Sequence, residues 1–290
     1  MPYFNLNMQP NSGTNLSLNI YNRSKKAAKF TVWANKAITN NNMIIDYSAR
    51  KITKSPNLPS TLNIYKMISP KVQNIQVPAN GTKKIAFKLK MPDQQFNGRL
   101  LGGIYVRKQI EKSVKSGFTN RFNFATAIVI RQNNRQVKPE LNLNKVRINN
   151  LNWTRTVETS TQNVSKTYLS HVKTAAKIYP VKNPKKIVIR QKLDNRSIAP
   201  NSSFNYQLPL KNQKLKPGKY ILDLKFISKN PDQIWHWKRS FVITSKNVQD
   251  VTIQHNNHLW IWILLIALAL VIVLALYLWW RKWRRYENKH

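Results

Sequence analysis

Cysteine is absent from the 290 residues, so neither a disulfide framework nor a thiolate metal site can form, and stability must come from burial. Acidic residues are scarce as well: ten Asp and Glu stand against 49 Lys and Arg. The paired carboxylates that glycosidases and many metal hydrolases use therefore have few candidates. No Gly-Xaa-Ser-Xaa-Gly elbow occurs to activate a serine. His255 and His258, at i and i+3, have no carboxylate cluster beside them, so neither a metal nor a cofactor is expected.

What abounds is positive charge, formally +39, with a pI near 10.7. Such a chain suits nucleic acid, an anionic membrane surface or an anionic wall polymer, and part of the excess reflects a general bias toward Lys and Asn. Nucleic acid is the weakest of these partners. Residues 1–258 carry no helical recognition motif, zinc spacing or RNA-binding aromatic signature. Hydrophobic residues at 42% are ample for packed cores, and the length fits about two domains.

Leu259 to Trp280 runs 22 residues without a charge, Gly or Pro. At about 1.5 Å per residue it spans roughly 33 Å, enough to cross a hydrocarbon core of about 30 Å, so it reads as a single transmembrane helix. Trp260 and Trp262 mark one interface, Trp279, Trp280 and Trp283 the other. Arg281, Lys282, Arg284 and Arg285 follow at once, whereas Gln254 to His258 holds no Lys or Arg. That asymmetry predicts a cytoplasmic tail and an extracellular body in the cell membrane. The tail contributes +4, which leaves +35 outside. The opening residues Met1 to Leu6 lack a signal peptide, so on this topology the chain starts after processing or its true start lies upstream. The alternative is a tail-anchored protein with a cytoplasmic body.

Residues 1–258 alternate with period two and show no long helical period. Leu16, Leu18 and Ile20 form one such set, as do Phe30, Val32 and Ala34, then Ile85, Phe87, Leu89 and Met91, then Phe124, Thr126, Ile128 and Ile130. Each predicts a half-buried antiparallel strand. After a polar, basic stretch from Arg131 to Pro139 the habit resumes at Phe204, Tyr206, Leu208 and Leu210, at Tyr220, Leu222, Leu224 and Phe226, and at Trp237, Phe241 and Ile243. Asn80-Gly81, Asn97-Gly98 and Pro217-Gly218 are hairpin or corner signals between such runs. The alternation breaks between Lys108 and Asn123, which fits a long hairpin tip, and Thr156 to Ala176 fits two short strands or one irregular helix.

The expected fold is therefore all-β: two immunoglobulin-like β-sandwich domains in tandem, at 1–132 and 139–245, followed by a single transmembrane α-helix at 259–280. Residues 133–138 and 246–258 are the linkers, and 281–290 the basic tail.

Several motifs within this frame resemble one family. They are Tyr3-Phe4-Asn5-Leu6, the run Ala37-Ile38-Thr39-Asn40-Asn41-Asn42 leading to Ile45-Asp46-Tyr47, Val77-Pro78-Ala79, and Met91-Pro92 followed by Phe96-Asn97-Gly98-Arg99-Leu100-Leu101-Gly102-Gly103-Ile104. Together they are similar to the N-terminal domain of WxL-interacting proteins, cell-surface proteins of low-GC Gram-positive bacteria. Ile198-Ala199-Pro200-Asn201-Ser202, Leu215-Lys216-Pro217-Gly218-Lys219-Tyr220 and the Trp235/Trp237 strand resemble that family's second domain. The resemblance implies a first domain that associates with peptidoglycan, a second linked to binding a host extracellular protein, and WxL-domain surface proteins as partners. Met43 departs from the usual Gly of the Thr-Asn turn, and Asn40 to Asn42 are expected to supply the left-handed backbone there.

Candidate ligand-binding residues follow. Trp33 is out of phase with Phe30, Val32 and Ala34, so it is expected to be an exposed aromatic contact for a sugar face. Trp237 shares a phase with Phe241 and Ile243 and should be core. Asn40, Asp46 and Tyr47 lie in the family-like turn. Arg50, Lys51 and Lys54 form one basic cluster and Lys182, Lys185 and Lys186 another, with Arg23, Lys25 and Lys26 a third; all would meet wall phosphates or carboxylates. Solvated surface charge is the plainer account of any one cluster.

The leading expectation is a membrane-anchored adhesion or scaffold protein without catalysis, in which a sandwich edge strand captures partner proteins. No Leu-Pro-Xaa-Thr-Gly motif precedes Leu259, so the helix itself is the anchor. A wall-modifying enzyme is one alternative, with Asp46 and Tyr47 as its only acid/base pair. An extracytoplasmic assembly chaperone is the other.

Overall fold

Burying one side of each alternating run requires a facing layer, and the sequence provides two layers twice. The computed structural model describes residues 3–49, 56, 59–109, 123–151, 154–210, 215–245 and 259–287. In the first sandwich the strands are β1 (Phe4–Asn7), β2 (Gly13–Tyr21), β3 (Ala28–Lys36), β4 (Ile38–Thr39), β5 (Ile45–Asp46), β6 (Ile68–Ser69), β7 (Val72–Val77), β8 (Thr82–Lys90), β9 (Leu100–Lys108) and β10 (Asn123–Arg131). A sheet ordered β1-β10-β9-β3-β7 faces another ordered β2-β8-β6, with β1 parallel to β10. Leu16, Ile20, Phe87, Leu89, Ile104, Ile128 and Ile130 fill the space between them, joined by Ile64 and Met67 of the short helix α1 (Ile64–Met67).

The second sandwich uses β11 (Leu141–Leu151), β12 (Thr154–Asn163), β13 (Leu169–Pro180), β14 (Ile189–Ile198), β15 (Ser202–Pro209), β16 (Gly218–Lys229) and β17 (Asp232–Ile243). The order is β11-β12-β15 against β14-β13-β16-β17. Tyr206 of one sheet meets Phe226 of the other at 5.4 Å between ring centroids, and its hydroxyl lies 3.1 Å from that of Thr174. Trp237 is half-buried and packs edge-on against Phe226 at 5.5 Å, on the apolar side that its phase predicts. The stretch that fitted either strands or a helix is β12 and the first part of β13.

Asn80-Gly81, Asn97-Gly98 and Pro217-Gly218 all prove to be corners that carry the chain from one sheet to the opposite one: β7 to β8, β8 to β9 and β15 to β16. Asn80 (φ 48°) and Gly98 (φ 87°) supply the left-handed backbone that lets the chain leave its sheet. The region from Ile110 to Phe122, expected as part of a hairpin tip, lies outside the described residues, as do Arg50, Lys51, Lys54, His255 and His258.

Three expectations are corrected. Phe124, at the start of β10, is 63% exposed instead of sharing the buried face of Ile128 and Ile130. Trp33 is 3% exposed, because β3 is a central strand covered on both sides. Its ring rests on Tyr105 at 4.7 Å and beneath the Arg107 guanidinium at 5.2 Å. The left-handed residue of the Thr-Asn turn is Met43 itself (φ 56°), fully buried, rather than Asn40 to Asn42. The Asn40 side chain accepts from the backbone N–H groups of Asn42 and Ile44, which moves the reversal to position 43. A left-handed non-glycine costs roughly 1–2 kcal/mol, and burial of the Met43 side chain offsets it.

Residues 1–244 form one unit, and the helix α2 (Leu259–Glu287) belongs to a second. In α2 the apolar side chains from Ile263 to Leu278 are exposed all round, a surface that water does not favour and hydrocarbon does. It is long and apolar enough to cross a membrane over Ile263–Arg281. The helix continues beyond Trp279 and Trp280, so the backbone of Arg281, Lys282, Arg284 and Arg285 is helical too, as is that of Trp260 and Trp262.

Gly102 and Gly103 allow β9 to be covered closely. A Cβ on Gly102 would lie 2.7 Å from the Asn35 carbonyl oxygen, and one on Gly103 would lie 2.5 Å from the Tyr47 ring. Backbone cannot yield easily, so Gly102→Ala should destabilise the full chain in detergent by about 1–3 kcal/mol. Gly13→Ala, where a Cβ meets Leu89 O at 3.3 Å, should be milder. Urea midpoints compare the two, and equal midpoints would contradict the close-approach account.

Candidate functional site

The family-like motifs of the two halves meet one another. The hairpin β4–β5, with its loop from Asn40 to Ile44, leaves the first sandwich and lies across the second. Thr39 Oγ1 accepts from Ala199 N at 2.9 Å and sits 2.6 Å from Ser202 Oγ. Ile45 N donates to Ser197 Oγ, Ser197 N donates to Met43 O at 2.8 Å, and Asn205 N donates to Asn41 Oδ1. A small apolar cluster closes behind these bonds: Ala37 and Leu101 against Ala199, with Ile45, Tyr47, Val129 and Tyr168 packed onto it. Arg99 N donates to Lys166 O at 2.7 Å, and the Arg99 guanidinium stands 5.5 Å from the Tyr168 ring.

The facing loops of the second sandwich are braced by Asn163. Its amide donates to Thr167 O and Ala199 O, while its Oδ1 accepts from Ser165 N and Oγ. Lys36 reaches across from the end of β3 and donates to Asn201 O at 2.6 Å. Burial pushes its ammonium down from 10.5 to about 8.

Asn40, Asp46 and Tyr47 are thus brought together as parts of this clasp. Asn40 closes the loop, Asp46 Oδ1 accepts from Ser48 N at 2.7 Å, and Tyr47 covers Gly103 while its carbonyl accepts from Asn35 Nδ2. Burial, then the neighbouring Tyr168, pushes the Tyr47 hydroxyl up to about 12, far from any acid/base task near neutrality. Lys182, Lys185 and Lys186 lie elsewhere, exposed in the turn between β13 and β14. Ser197 stands at the opposite end of β14, and ten residues at about 3.3 Å each separate the two places by roughly 30 Å.

A second feature has no counterpart in the sequence patterns. A cleft of about 280 Å³ opens at the ends of β1 and β10, lined by Gln9, Gln95, Asn97, Gln132, Asn133 and Arg135. Gln132 anchors its floor, accepting from Phe96 N at 2.8 Å and donating to Gln94 O. Asn133 Nδ2 donates to Asn97 Oδ1 and Asn133 Oδ1 accepts from Arg135 N, which fixes the rim. The residues come from three separate loops, so no sequence window shows them together. The nearest signal was Asn97, the middle residue of the family-like Phe-Asn-Gly turn.

Two family models identify the class as surface binding proteins. WxL Interacting Protein, peptidoglycan binding domain, matches residues 1–108, and WxL Interacting Protein, host binding domain, matches residues 113–252. The chain belongs to the WxL-interacting protein family. The second match begins ahead of β10, the strand that completes the first sandwich. No curated protein matches the chain. Among solved structures it is similar to the CupB2 chaperone of Pseudomonas aeruginosa at 10% identity and a TM-score of 0.31, covering 78% of this chain and 92% of that one. It is also similar to a chain of the CsuC–CsuE pre-assembly complex of Acinetobacter baumannii at 11% identity and 0.34, covering 80% and 93%.

The Lys36 shift gives the clasp a pH signature. Between about pH 8 and 10.5 the unfolded chain holds a proton that the folded chain has released, so stability rises with pH in that window. The full chain in detergent should gain in urea midpoint between about pH 7.5 and 9.5, below the range where Tyr47 titrates. Lys36→Met should lack that gain, and an equal gain in both proteins would contradict the assignment.

Proposed function

We propose that the protein is a membrane-anchored scaffold of the bacterial surface, with its body outside and its basic tail in the cytoplasm. It holds peptidoglycan through its first sandwich and a WxL-domain protein or a host extracellular protein through its second. The observation that carries this reading is the presence, on one chain, of a peptidoglycan-binding and a host-binding family match ahead of a helix that can span a membrane. Binding rather than catalysis is supported by the positions of Asp46 and Tyr47, which are engaged in the clasp.

Charge assists this role over distance. Strand β8 exposes Lys83, Lys84, Lys88 and Lys90, and neither β8 nor its partner β2 contains a carboxylate. The described ion pair Lys173–Asp194 (3.3 Å) and the His236–Asp223 hydrogen bond (2.8 Å) leave most of the excess uncompensated. The resulting field concentrates the protein at an anionic wall, and screening confines it to about 10 Å at 0.1 M salt and about 3 Å at 1 M. Arg50, Lys51, Lys182, Lys185 and Lys186 add to that field, and the tryptophan belts with Arg281 and its neighbours hold the helix in the bilayer.

Sedimentation of the full chain in detergent with purified sacculi tests the reading. Sacculi stripped of teichoic acid should still carry the protein down, with a residual fraction that survives about 1 M NaCl, where charge attraction is screened. Loss of all binding on stripping, or at that salt, would reduce wall attachment to charge alone and overturn peptidoglycan recognition.

A further inference from the structure

We propose that the amide-lined cleft is the subsite for the peptide stem of peptidoglycan, with Arg135 taking a stem carboxylate and Asn97 and Gln95 pairing with its amides. The inference rests on the wall-binding reading above and adds the chemical part of the polymer that is recognised. The cleft, of about 280 Å³, is large enough to admit a short peptide segment.

The lining supports the same choice. Gln9 and Gln95 carry donors and an acceptor and Asn97 Nδ2 carries donors, the complement of a peptide bond, and the Arg135 guanidinium presents a planar fork suited to a carboxylate. Among the described residues, no Asp or Glu lines the cleft to compete for that guanidinium. The one aromatic ring at the cleft, Phe96, is 6% exposed and packed into the core, so it offers no platform to a pyranose face. Of the other arginines near this end of the sheet, Arg131 is already held by Asn5 and Asn134 and Arg99 lies against the Tyr168 ring.

The rim is also preorganised. Asn97 Oδ1 is occupied by Asn133, which turns the Asn97 NH2 outward as a donor, while Gln95 and Arg135 stand exposed. Gly98 holds this turn in place: a Cβ there would meet Lys166 O at 2.5 Å, so the family-like Phe-Asn-Gly sequence is pressed against the second sandwich. Binding then loses entropy mainly through ordering Gln95 and Arg135, since Asn97, Gln132 and Asn133 are already held.

The test uses the full chain in detergent with three probes: intact sacculi, soluble muropeptides, and glycan strands whose stems an amidase has removed. Asn97→Asp keeps the acceptor that Asn133 needs and adds a negative charge facing the ligand. Arg135→Met removes the cation and keeps the aliphatic stem. Arg239→Met, in exposed β17, controls for loss of one charge elsewhere. Wild type and Arg239→Met should bind muropeptides and sacculi, both cleft variants should lose about tenfold in muropeptide affinity, and stemless glycan should bind poorly. Unchanged affinity in both cleft variants, or stemless glycan binding as well as intact sacculi, would overturn the stem subsite and leave the wall reading standing. A wild type that ignores sacculi altogether would remove both.

Discussion

The hydrogen-bonded seam between the β4–β5 hairpin and the Ser197–Ser202 segment is the constraint on which the rest of the body depends. Thr39, Met43 and Ile45 contribute polar atoms from one side, and Ser197, Ala199 and Ser202 contribute theirs from the other. These groups are buried or half-buried, so separating the sandwiches would expose the Ala37–Leu101–Ala199 cluster and leave backbone donors in search of partners. Two domains joined only by a linker would move independently by default; these two share a seam that makes them one body.

Much of the fold was legible because alternation reports one buried face directly. Leu16 and Ile20, Phe87 and Leu89, Tyr206 and Leu208, and Leu222 through Phe226 are buried as their phase requires. The same logic misplaced Trp33, since period two assumes one wet face and the second face of β3 is covered, with Tyr105 and Arg107 over the Trp33 ring. Alternation also cannot say which strands share a sheet: the three Gly-containing turns look alike in sequence whether they join neighbours or, as here, opposite layers. Met43 shows a further limit. A left-handed position is signalled by Gly or Asn only when the side chain has nothing to gain, and full burial gives Met43 something to gain.

The site was legible in part and for a different reason than expected. The family-like stretches around Asn40, Asp46, Tyr47, Gly98 and Ala199 stand out in the sequence, and they are the residues that fasten the halves together. The amide cleft was hidden because its residues are ordinary polar types from three loops, and only the fold brings them within one cavity. Lys36 was hidden likewise: nothing near it in sequence distinguishes a lysine destined for burial from the many that remain solvated. The apolar helix, by contrast, was legible over 259–280, because a run of 22 uncharged residues needs no partner to declare itself; its continuation to Glu287 was not, since the charged residues there carry no apolar signal.

Hydrogen exchange at the seam measures the central claim most directly. The amides of Ile45, Ser197 and Ala199 each donate across it, so peptides spanning 41–47 and 195–201 in the full chain should exchange as slowly as the core strands β9 and β16. Exchange of those peptides at the rate of the exposed β13–β14 turn, with the core strands still protected, would mean that the sandwiches part in solution and that the body is not one unit.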